Sequence, residues 1–341
     1  MPQNNYQHLN LPKVIFGTSG LGNLYVALSD EVKCAIVKEC ITNSEKPAVF
    51  DSAGKYGAGL ALESLGKCLK ALGVKPDEVL ISNKLGWVRT ALTTPEPTFE
   101  PGVWVGLKHD AVQKISYHGI LECYDEGNSL LNGYNAELVS VHDPDEYLAA
   151  AVNDDDRRKR YQDILDAYRA LNELKEQGKV KAIGVGSKDW RIIKQITNDV
   201  ALDWVMIANS MTVHSHPDEL VAYMEELNKK GIAIINSAVF NAGFLIGGDY
   251  YNYQLKDKEN HPELFKWREE FFALCDKYAV KPAEVCVAFG LHAPGVKSIA
   301  LSTTNAARVK GNIDMANVTI PVAFWDEMKS AGLINKDYAY L

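Results

Sequence analysis

Four residues of this chain, Asp51, Tyr56, Lys84 and His142, have the types and spacing needed to move a proton beside a reacting C–O bond. Asp51 closes the run AVFD, Lys84 closes VLISNK, His142 closes LVSVH, and Tyr56 follows Asp51 in the loop DSAGKYG. Hydride transfer to a carbonyl leaves an alkoxide that needs a proton, and the reverse reaction must remove one. A phenol can do either if its pKa falls from about 10 toward the working pH. A nearby ammonium stabilises the phenolate, so Lys84 is expected to lower Tyr56, with Asp51 pairing Lys84 and His142 orienting the reacting oxygen. Nothing in the set needs a nucleophile or a metal, so the hydride is expected from a bound cofactor. Taken singly, each residue has an ordinary reading: Asp51 as a loop anchor, Tyr56 as a surface aromatic, Lys84 as solvent-facing, His142 as a turn cap. Their coincidence at the ends of successive apolar runs favours a site.

Those runs belong to a larger pattern. Strand-like stretches recur at Val14–Phe16, Ala48–Asp51, Val79–Lys84, Leu138–His142, Ala182–Gly186, Trp204–Ala208, Ile232–Ser237 and Ser298–Leu301. Helix-period stretches lie between them, among them Asp30–Asn43, Leu60–Leu72, Tyr161–Gln177, Trp190–Asn198 and Asp218–Lys230. Strands alternating with helices read as βαβ units. The pattern predicts an α/β fold, a closed (β/α)8 TIM barrel formed as a single domain over residues 1–341. In such barrels the chemistry sits at the C-terminal ends of the strands. Long loops are expected there after Lys84 (a Pro- and Trp-bearing flap, Trp87 to Trp104), after His142, and after Ser237.

Bulk properties narrow the partners. A net charge of −8 argues against nucleic acid or a membrane surface, which need clustered Lys and Arg. The one basic run, Arg157 to Arg160, follows three aspartates and reads as a solvated loop and helix start. No apolar run approaches a membrane span, and the polar start MPQNNYQHLNLPK lacks the apolar core of a leader. The six cysteines are scattered without metal-ligand spacing, so no metal site, no disulfide and a cytoplasmic location are expected. No obligate protein partner is evident.

The strings GTSGLGNLY (17–25), FDSAGKYGAGLALESLGKCL (50–69), ISNKLG (81–86), VSVHDPDEY (139–147), IGVGS (183–187) and SIALSTTNAARVKGN (298–312) resemble the aldo-keto reductase superfamily over nearly the whole chain. Within it they are most similar to the aldose 1-dehydrogenase branch acting on L-fucose, L-galactose and other threo-configured sugars. The resemblance implies Tyr56 as proton donor or acceptor, His142 as substrate orienter, and Lys84 with Asp51 as the pair tuning Tyr56. It also implies an NAD or NADP cofactor, with Ser302, Thr303, Arg308 and Asn312 around the adenosine end and Ser187 at the nicotinamide carboxamide. GTSGLG is not a Rossmann fingerprint, because its spacing is wrong and no helix starts at its last glycine; it reads as a tight loop. Ser302 stands where many NADP-dependent relatives carry a basic residue. A charged hydrogen bond contributes about 1.5–3 kcal/mol, so NAD is slightly favoured while Arg308 leaves NADP usable. Asn236 stands where relatives place a Tyr under the nicotinamide, Met206 where they place a Gln, and Lys188 where an Asn follows Ser187.

A sugar offers C–H faces for aromatic rings and hydroxyls for polar groups. Tyr25, Trp87 and Trp104 could supply the former, and Asp143, Asn241 and Asp145 the latter, each with loop packing as its ordinary reading. The expected reaction is oxidation of the C1 hydroxyl of a small-molecule aldose to a lactone. Reduction of small aldehydes, oxidation of pyridoxal, a non-catalytic binding subunit of the same barrel, and an isomerase or lyase barrel stay open.

Overall fold

The computed structural model describes residues 9–341; residues 1–8, part of the stretch read for a leader, lie outside the described residues. Eight strands form the barrel: β1 (Val14–Gly17), β2 (Ala48–Ala53), β3 (Val79–Leu85), β4 (Leu138–His142), β5 (Ala182–Ser187), β6 (Trp204–Ala208), β7 (Ala233–Ser237) and β8 (Val296–Leu301). Each pairs in parallel with its neighbours in sequence, and β8 closes onto β1. All eight predicted strands are present, with ends shifted by a residue or two, as expected where fraying ends are assigned.

Strand side chains alternate between two faces, and here both faces are apolar. One parity points outward, where Val14, Phe16, Phe50, Ile81, Val139 and Val185 pack under the helices. The other fills the barrel with Ile15, Val49, Leu80, Leu138, Ala182, Trp204, Met206, Ala233 and Ile235, closed below by Leu9 and Leu11. Higher up the inward parity changes character: Asp51 follows Val49, Lys84 follows Ser82, and His142 follows Ser140. The barrel is therefore a packed apolar plug below and a polar site above.

The outer ring comprises α1 (Asp30–Asn43), α2 (Leu60–Ala71), α3 (Tyr117–Leu130), α4 (Pro144–Ala149), α5 (Asp154–Glu176), α6 (Trp190–Asp199), α7 (Asp218–Lys229), α8 (Pro262–Lys277), α9 (Pro282–His292), α10 (Val309–Asp314) and α11 (Val322–Ser330). α5 starts well before Tyr161. The Asn153 side chain accepts from the Asp156 amide at 2.9 Å, and Asp154, Asp155 and Asp156 suit the positive end of the helix dipole. The Arg157–Arg160 run thus lies inside α5 rather than in a loop.

One expectation fails. Cys34 and Cys68 form a disulfide between α1 and α2. Those helices pack side by side and bring the two Cα atoms to 5.0 Å, a proximity that 34 residues of separation gave no reason to expect. Cys40, Cys123, Cys275 and Cys286 are free and buried. Among the described residues, no helix is long and apolar enough to cross a membrane.

The loop after β3 is more ordered than a flap reading suggests. Trp87–Ala91 pairs antiparallel with His109–Gln113 as a ribbon, and the segment between them folds back so that Phe99 and Trp104 pack with Ala58 and Ala111. The loop after β7 carries two short 3-10 turns joined across a kink at Ala242 and Gly243 over Asn241–Ile246, and a small hairpin, Tyr250–Tyr251 with Gln254–Leu255.

Inside the barrel, Trp204 is fully buried and lies over Gly184, where an added Cβ would meet Trp204 Cδ2 at 2.1 Å. Overpacking a well-packed core typically costs about 1–3 kcal/mol and occasionally more. Gly184→Ala should lower the unfolding free energy by at least that order in denaturant melts, and Trp204→Leu in the same chain should recover part of the loss. An unchanged midpoint for Gly184→Ala would contradict this packing.

Candidate active site

Asp51 and Lys84 meet inside the upper barrel. Lys84 Nζ donates to Asp51 Oδ2 at 2.6 Å and to the Ser52 carbonyl at 3.2 Å, while Ser82 Oγ donates to Asp51 Oδ1 at 3.2 Å. Both charged side chains are buried. Such a pair is held only with good geometry and supporting hydrogen bonds, and deleting one partner typically costs about 3–5 kcal/mol. Gly186 on β5 flanks the lysine stem, where a Cβ would stand in ordinary contact with Lys84 Cδ at 3.4 Å.

Tyr56 sits above the pair. Lys84 Nζ lies 4.7 Å from its ring centroid, His142 approaches edge-on at 5.6 Å, and Trp104 packs beside it at 5.8 Å. The loop after β1 fixes this position. A Cβ on Gly22 would lie 2.8 Å from the Tyr56 carbonyl, and one on Gly57 would lie 2.2 Å from the Gly22 oxygen. The glycines of GTSGLG therefore serve a close approach of two backbones. Gly20 in the same loop abuts the Thr303 carbonyl, so this loop bridges Tyr56 and the segment after β8.

The electrostatics differ from the sequence expectation. Burial, then the carboxylates of Asp51 and Asp143, hold the Tyr56 hydroxyl well above its ordinary 10.0. Lys84 does not reverse this, because its charge is matched by Asp51 and faces the ring rather than standing alone. Burial and the ammoniums of Lys84 and Lys55 push His142 well below 6.5, so its imidazole is neutral. His142 Nε2 lies 3.5 Å from Asp143 Oδ2, and its Nδ1 is buried with no partner.

The remaining sequence candidates divide. Asp143 stands beside His142 at the mouth. Tyr25 is exposed and stacks on Tyr250 at 5.8 Å. Trp87 is half-buried against Phe99, and Trp104 is buried with its indole N–H on Glu100 Oε2 at 2.7 Å. Asn241 is fully buried; its amide donates to the Asn209 carbonyl and to Asn252 Oδ1, leaving only its own Oδ1 without a partner. Asp145 accepts from the Asp189 amide. Ser187 Oγ is engaged with the Asp189 backbone at 3.1 Å. Thr303 Oγ1 accepts from the Asn305 amide at 3.1 Å, while Ser302 and Arg308 are exposed and Asn312 half-exposed on the same segment.

Two positions compared with a nicotinamide platform lie elsewhere. Asn236 has the outward parity; its amide donates to the Met211 carbonyl at 2.9 Å toward the helix layer, and Ser237 is its inward neighbour. Met206 packs in the interior plug.

Sequence reasoning missed Lys55. Its ammonium is buried among Glu100 at 2.8 Å, Glu146 at 2.9 Å and Asp143 at 3.3 Å, and Lys188 pairs with Glu146 as well. Burial alone would lower Lys55, but Asp143, Glu100 and Glu146 outweigh it and hold its pKa above the usual lysine range. A lysine in a Gly-containing loop reads as solvent-facing, and its carboxylates come from two other loops.

Residues 13–332 match the Aldo/keto reductase family. The chain belongs to that family. It is 28% identical over 334 residues to a pyridoxal 4-dehydrogenase of Microbacterium luteolum, covering 94% of this chain and 93% of the relative. It is 26% identical to a D-threo-aldose 1-dehydrogenase of a Pseudomonas species (96% and 95%) and 21% identical to an L-galactose dehydrogenase of Arabidopsis thaliana (89% and 84%). In fold it is similar to an aldo-keto reductase of Bacillus halodurans in its holo form, with a TM-score of 0.68 at 17% identity over 96% of this chain and 93% of the other. A glycerol dehydrogenase of Gluconobacter oxydans also gives 0.68, at 16% identity over 96% and 95%.

For this aldo/keto reductase the depressed His142 carries a sign that can be checked. Between its folded value and the unfolded value near 6.5, the unfolded chain binds a proton that the fold excludes. That stability is whole above about pH 6.5 and is lost as the pH falls toward the folded value. His214, pushed by burial down to about 4, acts in the same direction. The thermal midpoint should fall between neutral and mildly acidic pH, and His142→Gln should make that fall shallower. An identical slope in that variant would contradict a neutral buried imidazole.

Proposed function

We propose that this chain acts as one domain over residues 1–341 and is an NAD(P)-dependent oxidoreductase. It oxidises the C1 hydroxyl of an aldose, L-fucose, L-galactose or a related threo sugar, to a lactone, with Tyr56 as general acid/base. The observation that carries the reading is the assembly of Tyr56, the buried Lys84–Asp51 pair and a neutral His142 at one mouth.

The bound nicotinamide would accept the hydride from C1. Fit for a dinucleotide is supported by Asn209, whose buried side-chain oxygen lacks a partner and suits an amide N–H, and by the exposed Ser302 and Arg308 beside the short helix α10. Ser187, Ser302, Thr303, Arg308 and Asn312 would hold it, and the lack of a basic residue at 302 favours NAD.

The chain's own residues would handle the proton. His142, neutral and next to a carboxylate, presents an N–H to the substrate oxygen and aligns its O–H with Tyr56. Tyr56 removes that proton as phenolate. The Lys84 ammonium on its ring face is attracted more strongly to the phenolate than to the phenol. Asp51 keeps that ammonium at the ring instead of letting it reach the substrate. Around the mouth, Asp143 can accept from sugar hydroxyls, while Tyr25 and Trp87 offer faces to C–H groups.

A second reading has specific support. Pyridoxal closes to an internal hemiacetal, the same functional group as the anomeric carbon of a pyranose, and a pyridoxal dehydrogenase is among the relatives at 28% identity. Following NADH absorbance with L-fucose, L-galactose, D-arabinose, pyridoxal and a simple aldehyde separates these readings. The aldoses should give the highest kcat/KM. Turnover of pyridoxal alone would transfer the proposal to that substrate, and turnover of none would end it. In the same assay NAD+ should serve at least as well as NADP+; an efficiency more than about tenfold better with NADP+, roughly 1.4 kcal/mol, would overturn the cofactor preference.

Tyr56→Phe should keep cofactor affinity, read by quenching of protein fluorescence, and lose nearly all turnover, since general acid–base groups contribute about 10²–10⁴-fold. Because burial raises Tyr56, wild-type oxidation should accelerate as pH rises above neutrality. Wild-type turnover in Tyr56→Phe would exclude the mechanism.

A further inference from the structure

The Lys55 cluster lies in the loops above the barrel strands, and the proton chemistry above does not use it. Its geometry nevertheless converges on the reacting groups. Lys55 precedes Tyr56 in the chain, so its ammonium is anchored to the loop that carries the phenol. It reaches Glu100 in the segment after β3, and Glu100 uses its other oxygen to accept from the Trp104 indole. Trp104 in turn packs on the Tyr56 ring. Lys55 also reaches Asp143 Oδ2, the same oxygen that faces His142 Nε2 at 3.5 Å. Through Glu146 it is joined to Lys188 beyond β5, whose ammonium lies over the Tyr253 ring at 5.4 Å. One buried ammonium thus touches carboxylates from two loops and stands on a third.

We propose that Lys55 is a positioning residue for the reaction: by holding Asp143 against His142 and Glu100–Trp104 against Tyr56, it presets the imidazole and the phenol before substrate arrives. This rests on the reading of Tyr56 and His142 as the acid–base pair. A carboxylate 3.5 Å from Nε2 favours the tautomer with the proton on that nitrogen, which offers a donor to the mouth and leaves the lone pair at the enclosed Nδ1. Without Lys55, three carboxylates would lose a shared cation. Asp143 would then be free to turn toward Lys84 or solvent, and the Trp104 contact would loosen.

The charges facing His142 are Lys84 from β3, Asp51 from β2, Lys55 from the Tyr56 loop, Asp143 and Glu146 after β4, and Lys188 after β5, together with the Tyr56 hydroxyl. Removing the Lys55 ammonium leaves Asp143 and Glu146 less compensated, which favours the imidazolium. The acid limb of the pH–rate profile should therefore move to higher pH.

The test combines kinetics with long-range ¹H–¹⁵N NMR of the histidine rings, His142 being assigned by its loss in His142→Gln. In the wild type, His142 should be the neutral Nε2–H tautomer. In Lys55→Met it should titrate at higher pH, and kcat should fall about 10²-fold, the scale of a misplaced reacting group, with KM less affected. Lys55→Arg should restore kcat to within about tenfold of wild type, since it keeps the charge. A folded Lys55→Met with wild-type kcat and an unmoved His142 titration would overturn the proposal. So would an Nδ1–H tautomer in the wild type, a result that does not depend on any variant folding. If no tested sugar, pyridoxal or aldehyde is turned over, the substrate reading fails, whereas the tautomer and the Lys55→Met titration still decide the role of Lys55.

Discussion

The contact between the Lys84 ammonium and the Asp51 carboxylate, 2.6 Å apart and shielded from water, is the constraint around which the upper barrel is organised. Two charges in that position are tolerated only if each is hydrogen-bonded. Ser82 and the Ser52 carbonyl supply the extra bonds. The apolar plug below, with Trp204 laid over Gly184, closes the barrel under the pair and keeps water from reaching it from that side. Tyr56 then rests on the ammonium, and the glycine loop after β1 holds its backbone. The site is thus a consequence of strand parity: the same inward positions that carry Val49 and Leu80 in the plug carry Asp51 and Lys84 one layer or two higher.

The fold was legible because the barrel strands are mostly buried on both faces and so read as largely apolar runs, as Ala48–Phe50 and Val79–Ile81 illustrate. Asp51, Lys84 and His142 were legible for the same reason, since a charged or imidazole side chain ending such a run has no apolar neighbour to serve. Legibility failed where parity or three-dimensional proximity decides. Asn236 and Ser237 are adjacent in sequence but face opposite layers, and only the pairing with β6 and β8 shows that Asn236 belongs to the helix layer. Cys34 and Cys68 meet because α1 and α2 are neighbours, a fact carried by no local motif. Lys55 belongs with these: its partners Glu100, Asp143 and Glu146 come from loops whose approach is set by the barrel. The start of α5 was misplaced because its first turns are charged, and an Asn cap with three aspartates leaves no apolar period to read.

The network at the mouth adds a second level of organisation. The loops after β2, β3 and β5 contribute one charged residue each to it, Lys55, Glu100 and Lys188, and the loop after β4 contributes two, Asp143 and Glu146. With two ammoniums against three carboxylates, its balance is close to neutral and slightly acidic. That suits a hydroxylated, uncharged substrate better than an anionic one, because an incoming anion would have to displace a carboxylate already paired with a buried lysine. Truncating the buried Lys55 leaves its three carboxylates without their shared cation, which is costlier than losing a surface pair. The loops that shape the mouth are therefore tied to one another as well as to the strands beneath them.

The raised Tyr56 bears on which direction this arrangement serves. A phenol held neutral by burial, Asp51 and Asp143 is a ready proton donor at neutral pH, which is what carbonyl reduction requires. Oxidation instead needs the phenolate, and every raised unit of pKa costs about 1.4 kcal/mol of that form at a fixed pH. Two features of the site work against that cost. The Lys84 ammonium faces the ring and favours the anion, and a neutral His142 would, in the proposed mechanism, add a hydrogen-bond donor to the substrate oxygen without placing a second cation beside Lys84. A protonated His142 would add a third cation to Lys84 and Lys55 nearby; in the proposed mechanism a neutral one would let the substrate hydroxyl be polarised from one side and deprotonated from the other. The same residues thus permit both directions, and the pH at which each runs fastest depends on how far Asp51 and Asp143 are kept engaged with their own cations and away from the phenol.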